Sequence, residues 1–493
     1  MKDGFKTLSL LALMTAVGFL VMGYHPGTED DAVYLAAVKA ALHSKLYPHD
    51  GDFVRLQTQA TMFVPAMAGL VRFLHVRLAW VECVGQFLSL LGILYGALGI
   101  ARRLFPEARA HWAGVMLLSV TFTLPVSGTA LYIADQHLHP RTMATALILV
   151  AIGRMQSRKA LQSMLLLLAA FSVHPIMATF GASLCACIGW AQSGAADRFG
   201  MRHWFGRNAG MAAAPLGWIF EPSSASWRQA LSTRTYYFLY QWRWYEWLGA
   251  LAPLALFFAL QRIAGRREDR NLSRFALGVL LYGVFQQIAG MLILANAGLV
   301  RLMPLQPMRY LQLIYILMIV IGGSLAGRYL LRDVAWRWCA LALAVGAGMF
   351  IPQRLLFAST EHIEWPCISS HNAWLQAYDW IRNNTPEDAF FALDPRYLAS
   401  PGNDEHGFRA LAERSHLSDA IKDPAVVTQV PRLGPEWLRE QQAMAGWDRL
   451  DGSDFRRLRS EFGVDWVLLK YRSLPDLECV WHNDLLEVCR IPQ

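Results

Sequence analysis

The chain is short of charged residues. Only 17% of its 493 residues are Asp, Glu, Lys or Arg, and 55% are hydrophobic. A soluble globular domain carries about a quarter charged residues. The deficit is regional, because residues 1–357 consist mainly of apolar runs of membrane-spanning length, whereas residues 358–493 have an ordinary polar composition. A wholly soluble protein is therefore excluded.

Several catalytic signatures are also missing. The sequence has no glycine-rich phosphate loop, no GxSxG and no HExxH, and its seven cysteines form no metal-type CxxC pair. Cys479 and Cys489 flank a predicted hairpin, where a disulfide would form if this part of the chain is exported. The lack of motifs after residue 358 favours a docking or acceptor-binding domain over a separate enzyme.

The net charge of +8 is a sum of two unlike parts. Residues 358–493 hold 14 basic and 22 acidic residues, a balance of −8, and the rest of the chain holds 31 basic and 15 acidic residues, a balance of +16. A basic protein could bind nucleic acid, but these arginines stand in short loops between apolar runs. Membrane topology explains them better, and we expect no nucleic-acid partner.

Eleven apolar segments are candidates for membrane spans of about 20 residues. They lie near residues 7–23, 81–101, 111–130, 141–153, 160–173, 174–192, 208–220, 246–262, 274–296, 309–326 and 336–357. A further run within 61–75 is interrupted by Pro65 and Arg72 and is interpreted as an interfacial helix. The predicted fold is mainly α, a polytopic helical bundle over residues 1–357 whose first outer loop is 24–60, followed by a soluble extracytoplasmic α/β domain at 358–493.

The arginines set the predicted orientation. With the N-terminus in the cytoplasm, every inner loop carries a cluster of basic residues, namely 102–109, 154–159, 198–207, 262–274 and 328–337, while the outer loops are poorer in Lys and Arg for their length. This is the positive-inside pattern. It predicts a multi-pass protein of the inner (cytoplasmic) membrane with its C-terminal domain outside.

The polar residues suited to chemistry collect on the predicted outer side. The segments that hold them are 25–60, with GTEDDAVY and YPHDGDF; 134–141, ADQHLHPR; the pair His174-Pro175; 221–245; and 297–309. Glu29, Asp30 and Asp31 follow the first span directly. Three adjacent carboxylates repel one another, but they also suit the positive end of a helix, so a simple helix cap remains an alternative to a functional site.

The order of these elements resembles the GT-C superfamily of integral membrane glycosyltransferases, as found in bacteria. The resemblance covers the layout of the whole chain: an N-terminal span, an acidic motif, an amphipathic helix, a Tyr-Pro-x-Asp element and a polytopic domain with an exported α/β tail. The family motif in the first outer loop is Asp-Glu-x-x-Tyr, and the segment from Asp30 to Tyr34 matches it with Asp31 in place of Glu. The resemblance implies a polyprenyl-phosphate-linked sugar as donor, Asp30 as catalytic base and Asp31 as its catalytic neighbour.

Further residues are candidates for substrate binding on the same side. They are Tyr34, His49, Asp50, Asp52, Arg234, Arg243, Arg301 and Arg309. The arginines could bind the phosphate of the donor, or they could simply reach the membrane interface. Asp135, His137, His139 and His174 add metal-ligand types, but a divalent metal is not favoured and no metal ligand is assigned.

Three functions remain open at this stage. The leading hypothesis is a membrane glycosyltransferase that moves a sugar from a polyprenyl-phosphate carrier to an extracytoplasmic acceptor, with membrane lipids as its surroundings. A transporter or flippase is the first alternative, although charged residues inside the spans are scarce. The second is a non-catalytic scaffold of cell-envelope assembly.

Overall fold

The computed structural model describes residues 2–193, 223–472 and 474–492. Helices dominate its first part, as predicted. They are α1 (Lys2–Met22), α2 (Asp31–Leu42), α3 (Gly51–Arg55), α4 (Phe63–Leu74), α5 (Leu78–Leu104), α6 (Ala108–Ser119), α7 (Pro140–Gln156), α8 (Ala160–Val173), α9 (Pro175–Gln192), α10 (Ala225–Ser232), α11 (Trp244–Arg266), α12 (Arg270–Ala295), α13 (Leu311–Ala326) and α14 (Ala335–Leu356). A short hairpin, β1 (Pro125–Val126) and β2 (Leu131–Tyr132), stands between α6 and α7.

The described helices include six that are long and apolar enough to cross a bilayer. They span Gly4–Met22, Leu78–Leu104, Trp244–Arg266, Arg270–Ala295, Pro307–Leu331 and Ala335–Leu356. The protein is thus a multi-pass membrane protein. The predicted segments at 111–130, 141–153, 160–173 and 174–192 also contain helices, whereas 208–220 and the basic cluster 198–207 lie outside the described residues. The count of eleven spans stays a prediction.

Small residues let the bundle helices approach closely. A Cβ atom added at Gly96 of α5 would lie 2.6 Å from the Cβ of Leu149 on α7. One added at Gly114 of α6 would lie 2.5 Å from the carbonyl oxygen of Val320 on α13. Contacts this short exclude any side chain, so glycine permits backbone packing of the kind that holds helices together where lipid supplies little hydrophobic driving force.

The C-terminal part is an α/β domain, as predicted. Its helices are α15 (Ala373–Asn384), α16 (Phe408–Ala412), α17 (Asp423–Gln429), α18 (Gly434–Ala443) and α19 (Gly452–Phe462), and its strands are β3 (Phe390–Leu393), β4 (Ser415–His416), β5 (Trp466–Lys470), β6 (Glu478–His482) and β7 (Leu486–Arg490). The strands form one sheet in the order β4-β3-β5-β7-β6. Strand β3 runs parallel to β4 and β5, while β7 is antiparallel to β5 and β6.

Both faces of this sheet are covered, which explains its short continuous apolar strands. Alternate residues of each strand point to opposite faces. Phe391 and Leu468 pack with Tyr378 of α15 on one face, and Val467 packs with Phe455 of α19 on the other. The side chains of the apolar runs at 389–393 and 464–469 therefore pack into two hydrophobic cores, one on each face of the sheet.

Cys479 and Cys489 are joined by a disulfide across the paired strands β6 and β7. We expect peptide mapping under non-reducing conditions to recover these two residues as one linked peptide, while exposed Cys367 reacts with a thiol reagent. A double Cys479→Ser, Cys489→Ser variant should lose about 2–3 kcal/mol of stability in the C-terminal domain, because the cross-link restricts the unfolded chain. Free thiols at both positions in the native protein would contradict this pairing.

The C-terminal domain docks on the first loop of the membrane domain. Isolated β-bridges join Tyr24 to Ile363 and Thr28 to His406. The carboxylate of Glu364 lies 2.7 Å from Nδ1 of His25 and 3.0 Å from Nε2 of His406. The two domains thus meet at the same end of the bundle that carries the acidic motif.

Candidate functional site

The acidic motif occupies a tight turn between α1 and α2. The turn has a positive φ of 78° at Gly27, where an added Cβ would lie 2.9 Å from Leu411 of the C-terminal domain, so only glycine suits it. The Gly27 N–H donates to Oδ2 of Asp31 at 2.6 Å. Asp31 is buried with 2% exposure and fastens this turn. Asp30, one residue earlier, points elsewhere.

Asp30 is an accessible carboxylate of the motif. Its side chain is 39% exposed, yet the cationic and imidazole groups around it are almost fully buried. Lys422 Nζ donates to Oδ1 at 3.2 Å, His139 Nε2 lies 3.8 Å from Oδ2, and Arg141 Nη2 lies 3.9 Å from Oδ2. Asp30 therefore faces open space on one side and cationic side chains on the other.

The segment before α7 supplies two of the groups around Asp30, His139 and Arg141. Asp135 Oδ1 accepts from Arg141 Nη2 at 2.5 Å, and its Oδ2 accepts from Thr142 Oγ1 at 2.9 Å. Pro140 begins α7, and the ring of His139 caps it by accepting from the Arg141 N–H at 3.0 Å. The ADQHLHPR string thus places an arginine and an imidazole against Asp30, with Asp135 orienting the arginine.

The carboxylates of the site differ in their affinity for protons. Burial would raise the pKa of Asp30, but Lys422, Arg141 and His139 outweigh it and hold that pKa well below its usual range. Burial raises the pKa of Asp31 to about 7, opposed by the Gly27 N–H. The cations around Asp30 consequently favour its ionised form, whereas burial disfavours the charged form of Asp31.

Two other predicted residues join Asp30. The ring of Tyr34 meets His139 edge-on, with 4.9 Å between centroids. Arg309 stands in the turn before α13 and lowers the pKa of Asp30 through its charge. Arg309 also lines a small cavity with Tyr236 and Tyr237. Residues from four separate segments therefore converge on one carboxylate.

The YPHDGDF cluster contacts the C-terminal domain. Asp50 Oδ2 accepts from Arg409 Nε at 2.5 Å and from the His416 N–H at 3.1 Å. The ring of His49 stacks on Phe390 with 4.6 Å between centroids, and Asp52 pairs with exposed Arg432 at 3.4 Å. These contacts give His49, Asp50 and Asp52 a docking role, and substrate binding by them stays a prediction.

The remaining predicted arginines also have contacts of their own. Arg234 donates to the carbonyl oxygen of Ile421 in the C-terminal domain. The Arg243 N–H donates to Glu246 at the start of α11, at 2.7 Å. The guanidinium of Arg301 lies over the ring of Trp227, 5.5 Å from its centroid. Phosphate binding by these three residues likewise stays a prediction.

Sequence reasoning did not find two of the groups around Asp30, Arg141 and Lys422. It noted Asp135, His137 and His139 as polar residues on the same side, but not the pairing of Arg141 with Asp135. Lys422 carried no signal at all, since 392 residues separate it from Asp30. A lysine in a polar domain has the appearance of an ordinary surface residue.

The carboxylates around the acidic motif are paired with cationic side chains, so a divalent metal is still not favoured there. Among the described residues, three ligand atoms lie within 4.8 Å of one another at Cys479, Glu487 and Cys489, and those cysteines are oxidised to a disulfide. At the acidic motif, Asp30 and Asp135 are instead paired with Lys422 and Arg141. The negative charge that a cation would need is already compensated.

Fold and site together define a multi-pass membrane protein with a polar, cationic site between its helical bundle and an α/β domain. The chain is similar to AglB, the archaeal oligosaccharyltransferase from Archaeoglobus fulgidus, solved in complex with an inhibitory peptide and a dolichol-phosphate: 12% identity over 95% of this chain and 70% of that chain, with a TM-score of 0.47. The apo form of the oligosaccharyltransferase from that organism gives 12% identity, 94% and 69% coverage and a TM-score of 0.46. The complex of that enzyme with Zn and sulfate gives 13% identity over 94% of this chain and 67% of that chain, with a TM-score of 0.46.

No protein-family model matches the sequence. No curated protein matches it either.

Proposed function

We propose that this protein is a GT-C-type membrane glycosyltransferase that moves a sugar from a polyprenyl-phosphate carrier to an extracytoplasmic acceptor. The observation that carries the proposal is the geometry at Asp30: an accessible, ionised carboxylate enclosed by buried cations. Asp30 accepts the proton of the acceptor nucleophile, whose oxygen or nitrogen attacks the anomeric carbon. The bond from that carbon to the phosphate oxygen breaks, and the carrier leaves as a polyprenyl phosphate.

The cations suit the leaving group. As the glycosidic bond breaks, negative charge grows on the phosphate, and preorganised positive groups stabilise such charge most in a site with little water. Arg141 is 2% exposed and Arg309 acts electrostatically on both Arg141 and Asp30. These two arginines are the proposed phosphate contacts, while Asp30 serves the acceptor.

An apolar groove beside the site supports a lipid-linked donor. It has a cavity volume of about 610 Å³ and is lined by side chains of α4, α5 and α7. Val84 and Leu88 on its wall are more than half exposed, so the groove opens sideways toward lipid. Leu138 lies at its margin between His137 and His139, which connects the groove to the polar site. A hydrocarbon chain in the groove would hold its phosphate near Arg141.

The direct test is sugar transfer in proteoliposomes that contain the purified full-length protein and radiolabelled polyprenyl-phosphate sugars. The proposal expects the label to leave the carrier and to appear on an added acceptor or in released sugar. A transporter would move the intact lipid-linked sugar across the bilayer without cleaving it. Neither cleavage nor transfer with any polyprenyl-phosphate sugar, by protein that is folded, would reject the enzyme.

Filling the groove should weaken donor use. Leu147→Trp places a large ring on the groove wall and should raise the KM for a long-chain donor several-fold, with a smaller effect on a donor with a short prenyl chain. Leu165→Trp, on the exposed face of α8 outside the groove, is the matched control and should behave as the parent. Equal KM values for the parent and Leu147→Trp would show that the groove does not bind the donor.

A further inference from the structure

Lys422 is the group from the C-terminal domain that reaches the acidic motif. Its Nζ donates to Asp30 Oδ1 at 3.2 Å, and its side chain is 16% exposed. Glu29 and Glu405 also act on its charge, and Arg234 opposes them. A lysine costs several kcal/mol to bury unless it is paired. Asp30 supplies that pairing, so the ammonium of the C-terminal domain and the carboxylate of the acidic motif depend on each other.

The turn that presents Lys422 is fixed on both sides. Oδ1 of Asp419 accepts from the N–H groups of Ile421 at 2.7 Å and of Lys422 at 2.5 Å. Arg409 holds the next residue, Asp423, through two bonds of 2.7 and 3.0 Å, while Arg234 donates to the Ile421 carbonyl oxygen. These bonds hold the backbone of the turn, and the Lys422 side chain extends from it to Asp30.

We propose that Lys422 is a positioning residue of the transfer reaction, whose ammonium, 3.2 Å from Oδ1 of Asp30, orients that carboxylate, so that the C-terminal domain completes the site of the membrane domain. The inference rests on the proposed function. It assigns to the tail a direct part in the chemistry, beyond docking or acceptor binding. The membrane bundle without Lys422 would hold Asp30 against Arg141 and His139 alone.

The charged groups facing Asp30 determine the expected pH effect. Lys422 comes from the tail, Arg141, His139 and His137 from the segment before α7, and Arg309 from the turn before α13, while Glu29, Asp31 and Tyr34 are on its own element. Lys422 is the largest of the influences that lower the pKa of Asp30. Loss of Lys422 must therefore raise the pKa of Asp30. As the pH falls, the base is then protonated sooner, so the decline of activity on the acidic side begins at a higher pH.

The experiment measures kcat against pH in proteoliposomes for full-length parent, Lys422→Met and Lys422→Arg. We expect Lys422→Met to lower kcat at least tenfold, because Asp30 loses the contact that orients it, and to move the acid limb of the profile to higher pH. Lys422→Arg keeps the positive charge and should return the acid limb of the profile to its position in the parent, although the planar guanidinium group changes the geometry. Lys39→Met is the matched control, because Lys39 also forms a cross-domain pair, with Glu413 at 2.7 Å, and is 17% exposed.

The outcomes separate this inference from the proposed function. Absence of both cleavage and transfer in the folded parent would reject the function itself, whatever Lys422 does, whereas a parental rate in Asp30→Asn would remove Asp30 as the base and with it the role of Lys422. Loss of activity in Asp30→Asn combined with a parental profile in Lys422→Met would overturn only the role of Lys422. An equal shift in Lys39→Met would also overturn it, by attributing the effect to loosened docking. If Lys422→Met does not fold, as judged by thermal unfolding, Lys422→Gln is measured in the same way.

Discussion

Replacing Asp30 by asparagine is expected to lower the rate of sugar transfer by about 10²–10⁴-fold, the usual contribution of a general base. Asparagine has the shape of aspartate but cannot take a proton from the acceptor. It also leaves Lys422 and Arg141 without the carboxylate they face. The substitution should lower kcat rather than weaken donor binding, because the proposed donor contacts, Arg141 and Arg309, remain.

Asp31→Asn provides the comparison within the same motif. Asparagine Oδ1 can still accept from the Gly27 N–H, and Asp31 is buried away from the open space that Asp30 faces, so the substitution keeps the turn in place. We expect a clearly smaller loss than for Asp30→Asn, measured as initial rates in proteoliposomes. Equal losses for the two variants would assign the chemistry to the motif as a unit. A rate near that of the parent in Asp30→Asn would remove the proposed base.

Replacing Arg409 by methionine is expected to destabilise the docked protein by about 3–5 kcal/mol, the cost of leaving a buried charge without its partner. Arg409 is 6% exposed and bridges the two domains. Its Nε binds Asp50 of the membrane domain, and its Nη atoms bind Asp423 of the C-terminal domain. Both carboxylates are buried, so neither can regain water without the domains separating.

Arg432→Met is the matched control for Arg409→Met. Arg432 also joins a first-loop carboxylate to the C-terminal domain, but it and Asp52 are 66% and 63% exposed, so their pair contributes about 0–1 kcal/mol. Thermal unfolding in detergent and limited proteolysis between the domains measure both variants. Similar unfolding temperatures for the two would show that the buried bridge does not hold the domains together. Weakened docking in Arg409→Met should also lower transfer, since Asp423 follows Lys422 in the chain.

Much of the architecture could be predicted because its signals are local. Long apolar runs predict helices in a membrane, and the helices found over Leu78–Leu104 and Arg270–Ala295 match them. The helical spacing of Trp374, Tyr378 and Ile381 is typical of the helix found at Ala373–Asn384, and short apolar runs are typical of the strands found at Phe390–Leu393 and Trp466–Lys470. Each of these elements is specified by neighbours within a few residues.

The sequence by itself determined that this is a polytopic membrane protein with an α/β tail, and it singled out Asp30 by its place after the first span. Only the tertiary structure decided what surrounds that carboxylate. It brought Lys422 to Asp30 across 392 residues, and it engaged Asp50 with Arg409 rather than leaving it as a free polar group. The physical reason is that hydropathy and periodicity are properties of short segments, whereas ion pairs between domains depend on how two folded surfaces fit together.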